Sequence, residues 1–276
     1  MEQGGTVVTT SATVFSEGVN LAYDDEGIGQ AFIFQHGLGG DRKQVAEAFG
    51  EQPGTRRITL ECRGHATSDY GPANALSLAT FARDIERMAT KLKVDAPILG
   101  GISMGAALAL RLAVKGNLRP SALVLARPAW LFEPAPPNMA VYAEVGELLL
   151  SYEPEIAREI FLQGQSAGQL RREAPDNLAS LVGFFERSKP REFGNLLMRI
   201  ANDDPGVSRE EAQRINCPVL VIGHGHDLVH PLAYARELAG VFPNATFCEI
   251  TAKAVDRTRY VNEFRAALHD FLERLA

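Results

Sequence analysis

The stretch from Pro97 to Val114 constrains this chain more than any other. An apolar run, Pro97-Ile98-Leu99, enters Gly100-Gly101-Ile102-Ser103-Met104-Gly105, and a helical pattern follows at once from Ala106 to Val114. This order predicts a strand that turns directly into a helix. So sharp a turn needs small residues packed beside it, which Gly101 and Gly105 supply. Ser103 is then raised above the sheet, at a helix N-terminus that favours developing negative charge.

The rest of the chain supplies the sheet. Val19, Leu21 and Tyr23 alternate as in a half-exposed strand. Compact apolar runs recur at Ala31–Gln35, Arg57–Glu61, Ala96–Leu99, Ala122–Leu125, Pro218–Ile222 and Ala245–Ile250. Near-continuous apolar strands are expected where both faces of a sheet are covered. Helical stripes lie between them: Leu78, Phe81, Ile85, Met88 and Leu92 after a Ser77 N-cap, and Tyr260, Phe264, Leu268, Phe271 and Leu275 at the end. The alternation predicts an α/β fold with a mostly parallel sheet and helices on both faces.

One region breaks the alternation. Residues 127–216 hold no convincing strand. They open on Arg127-Pro128-Ala129-Trp130 and a proline-rich turn, then read as helices that include Glu155–Leu162 and Leu178–Glu186. The expected organisation is a core of residues 1–126 and 217–276 with a helical cap insertion over 127–216. Such an insertion would sit over the strand ends, where open α/β sheets bind ligands.

Composition narrows the function classes. A net charge of −6 over 276 residues argues against a nucleic-acid partner. Three cysteines, Cys62, Cys217 and Cys248, are too few and odd in number for a secreted disulfide framework. There is no basic-then-apolar leader pattern and no apolar run long enough to span a bilayer. The expectation is a cytoplasmic protein with a small-molecule substrate, no nucleic-acid or membrane partner and no cofactor. Assembly as a homodimer is left open.

A second glycine-rich turn, His36-Gly37-Leu38-Gly39-Gly40, follows the Ala31–Gln35 run. Acyl transfer needs two backbone N–H donors aimed at an oxyanion; Met104, after the serine, and Leu38, in this loop, are the candidates. His36 reads as a brace for the loop. These motifs, with Arg63-Gly64-His65 and the late strand Cys217–Gly223 leading to Asp227, resemble the α/β-hydrolase superfamily along nearly the whole chain. The resemblance implies an eight-stranded sheet, a cap after the sixth strand, and a serine-acid-histidine triad in that chain order, with Asp227 in the place of the acid.

The chain departs from that pattern at the third member. The loop Ile250–Arg257 contains no histidine, and His269 falls well inside the final helix, on its solvent side. A serine without a base is a poor nucleophile. His230, three residues after Asp227, could serve as an unorthodox base, or could merely line the pocket. Lys253 could act if burial lowered its pKa, or could be a solvated surface lysine. The string His224-x-His226-Asp227-x-x-His230 also has the look of a zinc cluster, but the rest of the chain does not fit that fold, so no metal is expected.

Other residues carry smaller expectations. His65 reads as structural, and Glu61 and Ala66 replace residues frequent in the family. Arg127 could pair with a substrate carboxylate or form an ion pair under the cap. Trp130, Phe184 and Phe185 could line an apolar pocket or serve as core. The leading expectation is a serine-dependent hydrolase of a small ester, thioester or lactone, with Ser103, Asp227 and His230 catalytic, Leu38 and Met104 forming the oxyanion hole, and Arg127 and Trp130 touching substrate. The alternative is a lyase, acyltransferase, cofactor-free oxygenase or ligand-binding protein on the same scaffold.

Overall fold

The structure is a computed structural model describing residues 9–275. Eight strands form one sheet: β1 Thr9–Ser16, β2 Val19–Gly27, β3 Gln30–Gln35, β4 Thr55–Leu60, β5 Ile98–Ile102, β6 Ala122–Ala126, β7 Val219–Gly223 and β8 Ala245–Glu249. Their spatial order is β1-β2-β4-β3-β5-β6-β7-β8. β1 and β2 are antiparallel, β2 meets β4 antiparallel, and β4 to β8 run parallel.

Helices cover both faces. α1 Arg42–Phe49 and α11 Arg257–Glu273 lie on one, where Phe32, Phe34, Phe49 and Phe264 pack edge to face. α2 Leu78–Lys91, α3 Met104–Lys115 and α10 Leu232–Ala239 lie on the other. Every residue of β5, β6 and β7 is buried, as the apolar runs predict for central parallel strands. β8 differs: its residues are half-buried or exposed because it is the edge strand. β1 has no counterpart among the predicted strands. Its sequence, Thr-Thr-Ser-Ala-Thr-Val-Phe-Ser, is polar and it pairs with β2 alone.

The chain winds in opposite directions across the sheet from the parallel neighbours β3 and β5. The chain leaves β3 through α1 to β4 on one side, and leaves β5 through α3 to β6 on the other. Loops diverge at such a switch point and open a crevice at the carboxyl ends of the strands. The glycine turn after β3 and Ser103 after β5 therefore meet: a Cβ built on Gly37 would lie 3.4 Å from Ser103 Cβ.

Between β6 and β7 the chain forms α4 Ala140–Ser151, α5 Pro154–Gln163, α6 Gln165–Glu173, α7 Pro175–Val182, α8 Pro190–Ala201 and the short α9 Arg209–Ala212. α4 and α8 approach closely where glycines face each other; a Cβ on Gly146 would be 2.8 Å from the Gly194 carbonyl oxygen. The helix expected over Leu178–Glu186 starts earlier, at Pro175, and tightens into a 3-10 turn at Gly183–Glu186. That turn buries Phe184 and Phe185. Among the described residues no helix is long and apolar enough to cross a membrane.

Candidate active site

Gly100 and Gly101 belong to β5 itself, so the turn is sharper than the sequence implies. A Cβ on Gly101 would lie 2.6 Å from Gly105 Cα and 2.7 Å from the Gln35 carbonyl oxygen, which only glycine allows. Ser103 adopts φ 57°, ψ −111°, outside the regions a serine ordinarily prefers. Its N–H donates to the Ala126 carbonyl at 2.9 Å, and its own carbonyl accepts from Ala106 and Ala107 in the first turn of α3. Those bonds hold the strained residue in place. The side chain stands at the helix N-terminus, where N–H groups lack intrahelical acceptors.

The loop after β3 is braced by two buried histidines. His36 Nδ1 donates to the Gly37 carbonyl at 2.8 Å and Nε2 accepts from the Cys62 N–H at 3.1 Å. His65 Nδ1 donates to the Arg63 carbonyl, and Nε2 accepts from the Gly39 N–H, both at 3.0 Å. Burial holds both rings below the usual histidine range, hence neutral. The Gly37 N–H donates to Gln44 Oε1 at 2.8 Å and the Gly40 N–H to the Gly37 carbonyl. Within this turn, and among the described residues, the Leu38 N–H is left without a protein acceptor.

Asp227 sits in the loop after β7 and gathers three side chains. Arg127, in the left-handed region at φ 47° just past β6, places Nε 3.0 Å and Nη2 2.6 Å from Asp227 Oδ2. His230 Nδ1 lies 2.9 Å from each carboxylate oxygen, and the His230 N–H donates to Oδ1 at 2.9 Å. Nδ1 therefore carries the proton, and the Arg127 nitrogen 3.2 Å away is a contact between two donors. His224 Nε2 is 3.6 Å from Oδ2, and its ring stands edge-on to Tyr260.

The electrostatics follow from this packing. Burial pushes the Asp227 carboxyl upward, but His230 and the Arg127 guanidinium outweigh it and hold the carboxyl well below its usual range. Burial is the main influence that lowers His230; Asp227 works upward against it and Arg127 adds to the lowering. His224 is pushed down to about 4 by burial and then by Arg127.

His230 Nε2 is buried without a hydrogen-bond partner among the described residues. His230 and Ser103 line the same cavity of about 300 Å³, together with Leu38, Arg127, Tyr142 and Lys253. No hydrogen bond links Ser103 and His230 directly among the described residues. The wall opposite the sheet comes from α7 and the turn after it, through Asp176, Asn177, Ser180, Phe184 and Arg187.

The remaining candidates fall elsewhere or take other roles. Lys253 lines the cavity but pairs with Asp176 at 3.0 Å. His226 is exposed, and His269 pairs with Glu273 on the solvent side of α11. Among the described residues no group of three or more histidines, cysteines or acids is placed to hold a metal. Trp130 is buried, donates from Nε1 to the Asp203 carbonyl at 2.9 Å and does not line the cavity. The Arg127 guanidinium pairs with Asp227, and the residue also lines the cavity. Phe184 borders the cavity, whereas Phe185 packs on Phe161.

Sequence reasoning missed Gln44, Asp176, Asn177 and Arg187. Asn177 Oδ1 accepts from the Leu228 and Val229 N–H groups at 2.9 and 3.2 Å, so α7 grips the loop carrying Asp227 and His230. Asn138 holds the same loop through the Val229 carbonyl at 2.6 Å. No motif marks these residues, which act across 51 and 91 positions of chain.

A family model described as alpha/beta hydrolase fold matches residues 30–254. The chain is 28% identical over 243 residues to the AB hydrolase superfamily protein YisY of Bacillus subtilis, covering 80% of this chain and 83% of that one. The enol-lactonase of Burkholderia xenovorans LB400 superposes with a TM-score of 0.72 at 23% identity, over 95% of this chain and all of that one. A thermophilic esterase from Thermogutta terrifontis gives 0.72 at 20% identity, over 98% and 99% of the two chains. The two structural likenesses speak for the fold.

Proposed function

The chain belongs to the α/β-hydrolase fold family, and from that premise we propose that it is a serine hydrolase of small esters, thioesters or lactones with His230 as the base. The observation that carries this reading is the state of His230. Its Nδ1 is fixed on Asp227, while its Nε2 is buried and, among the described residues, unpartnered, and the residue lines the cavity that Ser103 shares. A ring held in one tautomer by its acid, with the other nitrogen left free beside the nucleophile's cavity, suits general-base activation of a serine.

In this mechanism Ser103 Oγ attacks the carbonyl carbon and its proton passes to His230 Nε2. The oxyanion is held by the N–H groups of Leu38 and Met104. The imidazolium returns the proton to the leaving oxygen or sulfur, and the acyl-serine forms. Water, deprotonated by the same Nε2, then releases the acid. Asp227 orients the ring and stabilises its cationic form. Arg127 opposes that stabilisation, so His230 is a weaker base than an unopposed Asp–His pair would make it and stays neutral to lower pH. The missing hydrogen bond from Ser103 closes with substrate; catalytic hydrogen bonds often tighten only in the complex.

Residues 127–216 serve as the cap of this site, over a core of residues 1–126 and 217–276, of which 1–8 and 276 lie outside the described residues. The support is that α7 and the turn after it supply the wall facing Ser103. The test is labelling with a fluorophosphonate probe. The parent chain is expected to be labelled and the Ser103→Ala variant not. An unlabelled parent that also turns over no simple ester would sink the proposal.

A further inference from the structure

We infer that the cavity selects substrates carrying a carboxylate a few atoms from the reacting carbonyl, and that Arg187 is the residue that recognises it. The inference rests on Ser103 marking the reacting position.

Among the described residues three cations border the cavity: Arg127, Lys253 and Arg187. The first two are matched within it, Arg127 by Asp227 and Lys253 by Asp176. Arg187 has no carboxylate partner among the described residues. Its Nη2 donates to the Gly39 carbonyl, and its guanidinium carbon lies 5.1 Å from the Phe193 ring centre and 6.0 Å from that of Phe184. The aromatic faces and the Gly39 bond fix the orientation of the planar group. Its other N–H donors have no protein acceptor among the described residues. A fixed, weakly hydrated fork with spare donors suits a planar carboxylate, which takes two parallel N–H···O bonds.

The spacing limits the ligand. Gly37 abuts Ser103, and Gly39 carries the carbonyl that Arg187 binds. Two residues of chain span at most about 7 Å. So short a link between the two positions makes an acyl spacer of about three methylenes the one to test. The volume agrees, since about 300 Å³ is at the small end for ligand pockets. The whole chain carries −6, so attraction of an anion has to come from local cations.

The test compares monoethyl glutarate with ethyl 5-methylhexanoate, in which an isopropyl group of similar shape replaces the carboxylate, by ethanol release. The parent is expected to prefer the anionic ester at least tenfold in kcat/KM. Arg187→Gln is expected to bring that ratio to near one, and Arg187→Lys to restore part of it. Lost support for Gly39 alone would slow both esters alike and leave the ratio unchanged. Glutarate binding to the Ser103→Ala protein, followed by calorimetry, gives a readout independent of turnover, and Arg187→Gln is expected to abolish it. Turnover with no preference, or a preference that survives Arg187→Gln, would overturn the inference while leaving the hydrolase reading intact. Glutarate binding that depends on Arg187 without turnover of either ester would support the subsite and count against hydrolysis at Ser103.

Discussion

Arg127 Nη2 stands 2.6 Å from Asp227 Oδ2, and the same carboxylate holds His230 Nδ1 at 2.9 Å. One buried anion thus serves a permanent cation and a titratable ring. Arg127 lowers His230 and helps keep Asp227 ionised. Replacing Arg127 by Met removes the lowering influence, so the His230 pKa rises. Activity that needs the neutral ring is then lost at a higher pH, and the acid limb of kcat/KM moves upward. Stability falls by about 3–5 kcal/mol, because Asp227 is left buried beside one partner too few. Adding Asp227→Asn should recover part of that loss. A pH–rate profile and urea titrations read both effects; an acid limb that does not move would rule out the proposed coupling.

Acid sensitivity follows from the buried rings. His224 is held down to about 4 by burial and Arg127, against about 6.5 in an unfolded chain. A histidine depressed by folding contributes stability that is full above its unfolded pKa and drains away as pH falls toward its folded one. Between pH 7 and 5 that loss is about 2 kcal/mol from His224 alone. His36, His65 and His230 are lowered too and act in the same direction. Urea unfolding at pH 7 and pH 5 should show the parent losing more stability than His224→Asn does, by about that amount. Equal losses would mean that His224 does not titrate across folding.

The elbow was legible because everything that makes it lies within some eighteen residues: an apolar run, two glycines and a helical stripe. The central strands were legible for a related reason, since burial on both faces leaves an unbroken apolar run. β1 was not, because its Thr and Ser residues lie at a polar edge where pairing with β2 decides the conformation. The Arg127–Asp227 pair joins residues 100 positions apart, and only strand order makes β6 and β7 neighbours. Asn177 belongs to a helix and Arg187 directly follows the turn after it, and sequence periodicity there reports burial but not what the polar groups meet. The proposed base was half legible: His230 stood out by its nearness to Asp227, but nothing in its spacing reveals that Nε2 has no partner among the described residues.

Asn177 is a positioning residue on this reading. Its Oδ1 accepts two backbone N–H groups from the loop between Asp227 and His230. Asn177→Ala leaves both donors without that acceptor, at a cost of about 1–3 kcal/mol. The loop then holds His230 less well, and kcat should fall about tenfold with a smaller change in KM. Asn177→Asp keeps an acceptor at the same atom and should restore most of kcat. Failure of the aspartate to rescue, with full folding, would place the role of Asn177 in substrate contact instead.

Ser103 offers a separate measure of strain. Its backbone at φ 57°, ψ −111° is unfavourable for any residue with a Cβ, at a cost of about 1–3 kcal/mol. Glycine would relieve that strain but lose about 0.5–1 kcal/mol more entropy on folding. The strain is the larger quantity, so Ser103→Gly should be more stable than the parent by up to about 2 kcal/mol. Ser103→Ala keeps the Cβ and the strain, and should lie close to the parent. The serine hydroxyl makes no hydrogen bond to His230, so its loss adds little to either variant. Urea midpoints of the three proteins at pH 7 decide the matter. A glycine variant no more stable than the alanine variant would mean that the surrounding bonds, from Ser103 N–H to Ala126 and from Ala106 and Ala107 to the Ser103 carbonyl, set this geometry without appreciable strain.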